Sequence, residues 1–180
     1  METSFKEIAL IDDFSREEKA SNGHSWHYVS DTVMGGISQG SAHHGEKQGT
    51  AALMLKGTVS LENNGGFIQA ALDLASSGSF LDATGATGIA VSLCGDGQDY
   101  AINLRTAHTH RPWQSYRCAL QSRVTWKTHY LPFACFEAHR IEQPLDISHL
   151  RRIGVIAIGR PGPARVALSR LALYRDGSSG

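Results

Sequence analysis

Apolar residues recur at every second position over short stretches of this chain, and Gly, Asn and Asp separate one stretch from the next. A strand with one buried face sorts its residues in this way, because successive side chains point to opposite sides of a sheet. Such stretches fall at residues 7–14, 26–29, 40–44, 50–60, 66–75, 87–94, 99–106, 113–121, 125–133, 152–158 and 164–174. About ten strands at this spacing predict an all-β sandwich or barrel of two antiparallel sheets. Helical signals are few. Residues 15–20, 133–138 and 147–151 suffice for short turns, and none sustains a period of 3.6. Parallel α/β folds need crossover helices, which have no place here. No repeat or linker divides the chain, so residues 1–180 are expected to form a single domain.

Alternation also assigns faces. Ile68, Ala70, Leu72 and Leu74 share one side of their stretch, which leaves Phe67, Gln69 and Asp73 on the other. By the same parity Tyr100, Ile102 and Leu104 point inward and Asp99, Asn103 and Arg105 outward. In residues 113–121, Tyr116, Cys118 and Leu120 face the core, while Trp113, Ser115 and Arg117 face out. Phe67, Gln69, Asn103, Arg105, Trp113 and Arg117 thereby compose an outer surface of the kind that binds a sugar or a peptide. The wet side of an antiparallel sheet has the same pattern without binding anything.

Composition narrows the field. Among 180 residues, 17 Lys+Arg balance 17 Asp+Glu, which argues against a nucleic-acid footprint. The 19 glycines, about half as many again as an average domain of this length carries, lie in turns between strands. Cys94, Cys118 and Cys135 are odd in number and sit among apolar residues, which predicts reduced thiols and a reducing compartment. The first residues carry neither a basic, apolar leader nor an Arg-rich transit segment, and no apolar run is long enough to span a bilayer. The expected location is cytoplasmic.

Catalytic and metal patterns are weak. His43-His44 and His108-Thr109-His110 lack the partner ligands that zinc requires. There is no G-x-S-x-G elbow, and Gly95-Asp96-Gly97 and Gly159-Arg160-Pro161-Gly162 precede strands rather than the helix a phosphate loop needs. The first of these reads as a hairpin turn. Asp31, Glu62, Asp96, Asp99 and Glu137 leave a hydrolase with paired loop acids as the weakest reading. Asp12, Asp13 and Asp176 are candidate oxygen ligands for a structural calcium, with no spacing logic behind them, and no cofactor is expected.

Two segments go beyond generic turns. One runs from Trp26 through Asp31-Thr32-Val33-Met34-Gly35-Gly36-Ile37-Ser38, the other is Asn63-Asn64-Gly65-Gly66-Phe67. Each has a glycine pair able to form a corner at positive φ, which is expected of Gly36 and Gly66 in particular. With Gly95 to Gly97, Tyr100, the Leu104-Arg105-Thr106 strand end, Tyr116, Trp126, Leu131-Pro132-Phe133, Phe136 and Ile153-Gly154, these blocks resemble the complex I intermediate-associated protein 30 family over residues 14–174. The resemblance implies a galactose-binding-domain-like jelly roll, similar to some carbohydrate-binding modules, in a short bacterial-type member. It also implies a non-catalytic role like that of the eukaryotic assembly factors of respiratory complex I. Trp26, Asp31, Met34, Gly35, Gly36, Ser38, Asn64, Gly65, Gly66, Tyr116 and Trp126 are the motif residues, and they stand either for a folding corner or for the flank of a binding groove. The leading expectation is a binding module whose polar sheet face engages a protein partner, such as a respiratory-complex subunit or assembly intermediate. A carbohydrate ligand on the same face is the alternative.

Overall fold

A computed structural model describes residues 4–177. Its strands are β1 (Phe5–Asp12), β2 (His27–Ser30), β3 (Gln39–Lys47), β4 (Thr50–Val59), β5 (Phe67–Asp73), β6 (Gly88–Gly95), β7 (Asp99–Thr106), β8 (Ser115–Gln121), β9 (Lys127–Pro132), β10 (Glu137–His139), β11 (Leu150–Ile158) and β12 (Gly162–Asp176). The helical content of the described residues is a set of short 3-10 turns. Two antiparallel sheets result. The first has the order β3-β4-β12-β6-β9 with β1 also paired to β12, and the second has the order β10-β8-β7-β11-β5-β2.

The sandwich forms because each strand has an apolar face to bury and no helix to bury it against. Ile68, Leu72, Ile102, Leu104, Ile153 and Val155 from the second sheet meet Leu55, Ile89, Val91, Leu93, Val166 and Leu168 from the first in one core. The parity read from the sequence holds on β5, β7 and β8. The long β12 serves two neighbours on one edge, β4 along its first half and β1 along its second. A register shift against β6 between Leu168 and Arg170 marks the changeover, as a bulge that re-aims a strand would.

Several sequence expectations need correction. Gly95-Asp96-Gly97 joins β6 in the first sheet to β7 in the second, so it is a corner between sheets and not a hairpin. The stretch 133–138, expected to be a short helix, splits into a 3-10 turn (Phe133–Cys135) and the edge strand β10. β10 hydrogen-bonds to β8, which supplies more ordering than one helical turn could. Residues 15–20 form bends, and Ile147–His149 is a 3-10 turn that leads into β11.

The cysteines also differ from expectation. Cys118 and Cys135 form a disulfide across 17 residues, with Cα atoms 5.6 Å apart, and Cys94 alone is free. Cys118 points inward from β8, as its parity requires. The pairing of β10 with β8 then brings the preceding turn, with Cys135, beneath that strand. The bonded pair removes the argument for a reducing compartment that an odd cysteine count had supplied. No helix among the described residues is long and apolar enough to cross a membrane.

The calcium reading fares no better. Asp12 pairs with Leu171 near one end of the β1–β12 ladder, and Asp176 pairs with Phe5 at the other. The Asp12 carboxylate is taken up by the Phe14 and Ser21 N–H groups and by Trp26 Nε1. Among the described residues no three metal-ligating side chains gather.

Candidate functional site

The two glycine-pair segments meet at one carboxylate. Asp31 follows β2 and opens a 3-10 turn (Asp31–Met34), capped at its start by the Ser30 hydroxyl and at its end by Gly35 in the left-handed region at φ 88°. The buried Asp31 Oδ1 accepts from Ser38 N–H at 3.0 Å. Its Oδ2 accepts from the Ser38 hydroxyl, from Gly66 N–H at 2.6 Å and from Phe67 N–H at 3.2 Å. The Ser38 hydroxyl in turn accepts from Ser60 N–H at 2.8 Å. Burial works against the charged form of Asp31, and the bonds from Ser38, Gly66 and Phe67 outweigh it, so its pKa is lowered.

Each motif glycine has its own reason. Gly35 and Gly66 have positive φ, 88° and 139°. Gly36 and Gly65 do not. A Cβ on Gly36 would lie 2.5 Å from the Asp31 carboxyl carbon, and one on Gly65 would lie 2.6 Å from its Oδ2. The expectation of positive φ therefore holds for Gly66, whereas Gly36 is required by the closeness of Asp31. Asn63 takes a left-handed conformation at φ 57°, and the side chain of Asn64 lies outside the described part of the structure.

This corner forms one end of a groove of about 610 Å³ on the outer face of the second sheet. Met34, Gly65, Gly66 and Phe67 line that end, and Phe67, Gln69, Asn103, Trp113 and Arg117 all reach the groove as the parity implies. Arg117, Asn103, Gly154 and Ala71 form one cross-strand row over β8, β7, β11 and β5. Gly154 leaves room in that row: a Cβ there would lie 2.3 Å from Gln69 Oε1. Gln69 thus reaches across β11 and accepts from Asn103 Nδ2 at 3.1 Å. Asn103 Oδ1 is buried, with no hydrogen-bond partner among the described residues. Trp113 lies in the β7–β8 loop rather than on β8, at the rim, with 43% of its surface exposed.

Arg105 is not part of the groove. Its guanidinium donates to the carbonyls of Thr109 and Arg111, so it braces the loop that carries Trp113. Tyr116 is buried and donates to the Gln143 carbonyl, and Trp126 donates to the Lys47 carbonyl at the β3–β4 turn. Trp26 stacks beside Phe14 and donates to Asp12. These three are framework residues away from the groove.

The sequence reading missed His139, Arg140, Ile156 and Ile158, which complete the lining with Pro112, Ser115 and Gly159. Ile156 and Ile158 face outward from β11, but β11 is apolar on both faces and so shows no alternation. His139 and Arg140 were hidden because β10 did not read as a strand. Arg117 Nε donates to Ser115 Oγ at 3.2 Å, and burial together with nearby Arg140 lowers the pKa of the guanidinium. Burial, with Arg117 alongside, likewise lowers the pKa of His139, against the opposite pull of Glu137. No carboxylate lines the groove, so the acid pair that a glycoside hydrolase would need is not brought together there.

The family description "Complex I intermediate-associated protein 30" matches residues 13–168. The chain belongs to that family. No curated protein matches it in sequence. Its fold is that of carbohydrate-binding modules. The family 11 module of the cellulosomal cellulase Lic26A-Cel5E of Clostridium thermocellum superposes with a TM-score of 0.68 at 14% identity, covering 96% of this chain and 95% of that one. A family 11 carbohydrate-binding module from Clostridium thermocellum in complex with a β-1,3-1,4-mixed-linked tetrasaccharide gives 0.66 at 15% identity, with 96% of each chain covered. A family 30 carbohydrate-binding module gives 0.62 at 13% identity, covering 93% of this chain and 98% of the other. At these identities the likeness establishes the jelly-roll sandwich and leaves the ligand open.

Proposed function

We propose that this chain is a non-catalytic binding module that engages a protein partner, in the manner of an assembly factor, by seating an extended segment in the sheet-face groove. The observation that carries this reading is the division of the groove into two halves. Met34, Phe67, Ile156 and Ile158 give one half an apolar floor, while Arg117 and Arg140 make the other cationic, with His139 beside them. A polypeptide segment presents apolar side chains and polar groups in alternation along one strand, which suits such a floor. A sugar ring stacks its C–H face on a flat aromatic, and of the four residues of this floor only Phe67 is flat, whereas Met34, Ile156 and Ile158 suit aliphatic side chains. The corner built by the family's own motif residues supplies one end of the groove, which ties the groove to what family members share.

The test is co-purification. Respiratory-complex subunits recovered with the wild-type chain and lost with Phe67→Ala and Arg117→Ala are the expected result. A second reading, carbohydrate binding on the same face, is favoured by the exposed ring of Trp113 at the rim, which offers stacking area of the kind sugars use. Calorimetric titration with a glycan set separates the two. Saturable heat with a neutral glycan, abolished by the same variants, overturns the protein-partner reading.

A further inference from the structure

The charges of the groove are out of keeping with the rest of the molecule. The chain is neutral overall, with 17 basic and 17 acidic residues, and its described ion pairs are His149–Asp146, Arg152–Asp73 and Arg170–Glu7. None of them lies in the groove. Arg117 and Arg140 line it without an ion-pair partner among the described residues, and His139 lies beside them. Glu137 on β10 is the cross-strand neighbour of Arg117, yet it makes no ion pair with it. Among the described residues the Arg117 side chain makes one hydrogen bond, through Nε, and its two terminal nitrogens have no partner there. A partly buried cation without a counter-charge is unfavourable, and an incoming carboxylate would offset that with two parallel hydrogen bonds.

A second unmet group lies next to it. Asn103, opposite Arg117 in register, keeps a buried Oδ1 with no donor among the described residues. That oxygen is closed to solvent, so it marks a local polar deficit beside Arg117 and is not a contact for an incoming segment. The groove therefore lacks an anion beside Arg117, and it ends in an apolar floor.

We infer that the groove recognises an acidic segment of the partner: a Glu or Asp side chain on Arg117 and an aliphatic side chain over the apolar floor of Phe67, Ile156 and Ile158. This inference rests on the protein-partner reading and adds the chemistry of the segment. Charge complementarity favours it over a neutral glycan, and the apolar floor favours a peptide over an acidic glycan.

Fluorescence polarisation with a labelled peptide of alternating glutamate and leucine tests the inference, with the glutamine–leucine peptide and oligogalacturonate as comparisons. The glutamate peptide is expected to bind, and to bind at least about tenfold more tightly than the glutamine peptide. Arg117→Ala should weaken it by at least about tenfold, and Arg117→Lys should recover only part of the loss because a lysine cannot make the bidentate pair. Thermal melts of both variants establish that they fold, and Arg117→Lys, which keeps the charge and the stem, carries the comparison if Arg117→Ala does not. Equal binding of the two peptides, or no binding of the glutamate peptide, overturns the acidic-segment inference. If subunits still co-purify with the wild-type chain in that case, the protein-partner reading stands without it. Binding of oligogalacturonate in place of the peptide overturns both and assigns the groove to an acidic sugar.

Discussion

Asp31 shows how much one side chain can organise. Its carboxylate accepts from Ser38 and, across 35 residues of sequence, from Gly66, so it holds the two family blocks together. Asp31→Asn would place an N–H₂ group among donors and should destabilise the fold by about 2–4 kcal/mol at neutral pH, read by urea denaturation. The pKa of Asp31 is lowered in the folded state, so its stabilisation is full above the ordinary value of 3.8 and is lost as pH falls below it toward the folded value. The gap between wild type and Asp31→Asn should accordingly narrow below about pH 4, and a constant gap would show that the carboxylate charge is not what holds the corner. The glycines make a paired prediction. Gly36→Val collides with Asp31 and should cost roughly 3 kcal/mol, whereas Gly35→Asn, in open space at positive φ, should stay within about 1 kcal/mol of wild type. Similar melting temperatures for the two variants would refute this division of roles. From sequence alone both glycine pairs read as corners at positive φ. The steric reason at Gly36 and Gly65 could not be read, because it depends on a carboxylate that only the folded chain brings there.

Strands with one buried face were legible because parity is a direct physical consequence of the pleat, and Phe67, Gln69, Asn103 and Arg117 fall where it puts them. What parity cannot see is an element too short to alternate or one buried on both sides. β10 has three residues and β11 is apolar on both faces, and together they supply His139, Ile156 and Ile158. Arg105 illustrates the opposite limit: it lies on the correct face, but the loop folds over it and takes one terminal nitrogen, which donates to the Thr109 and Arg111 carbonyls. β10 and the Arg140 that follows it form one wall of the groove, and the Cys118–Cys135 disulfide just before β10 is its covalent tie to β8. Closing a loop of this size should contribute about 3 kcal/mol, so Cys118→Ser with Cys135→Ser, or reduction, should lower unfolding free energy by about that amount. The loss should be uneven. Hydrogen exchange should speed up at the β10 amides while the central β11 and β5 amides stay protected, and uniform acceleration across the sheet would show that the bond supports the core rather than the wall.

At the scale of the whole molecule, a neutral chain carries a locally cationic groove, and the nine histidines make its net charge rise as the medium becomes acidic. Binding of an acidic peptide should therefore depend on pH through two separable contributions. One is diffuse and comes from all the histidines; the other is local to His139. That imidazole faces Arg117 on β8 and has Glu137 and Arg140 on its own segment, and burial and Arg117 hold its pKa below 6.5. It is thus mostly neutral at pH 7 and gains a proton more readily once a carboxylate lies alongside, so affinity should climb as pH falls from 8 toward about 5. Below about pH 4 the peptide glutamates themselves protonate, near their ordinary value of about 4.3, and binding should collapse. His139→Gln should flatten the rise and leave the collapse in place, because the Arg117 pairing still needs an ionised ligand. A rise that survives in His139→Gln would assign the pH response to net charge. That case has its own signature, since attraction to net charge from exposed histidines acts at longer range and is largely screened once salt shortens the Debye length to about 8 Å, near 0.15 M. The contribution of His139, partly buried beside Arg117, should persist at that ionic strength.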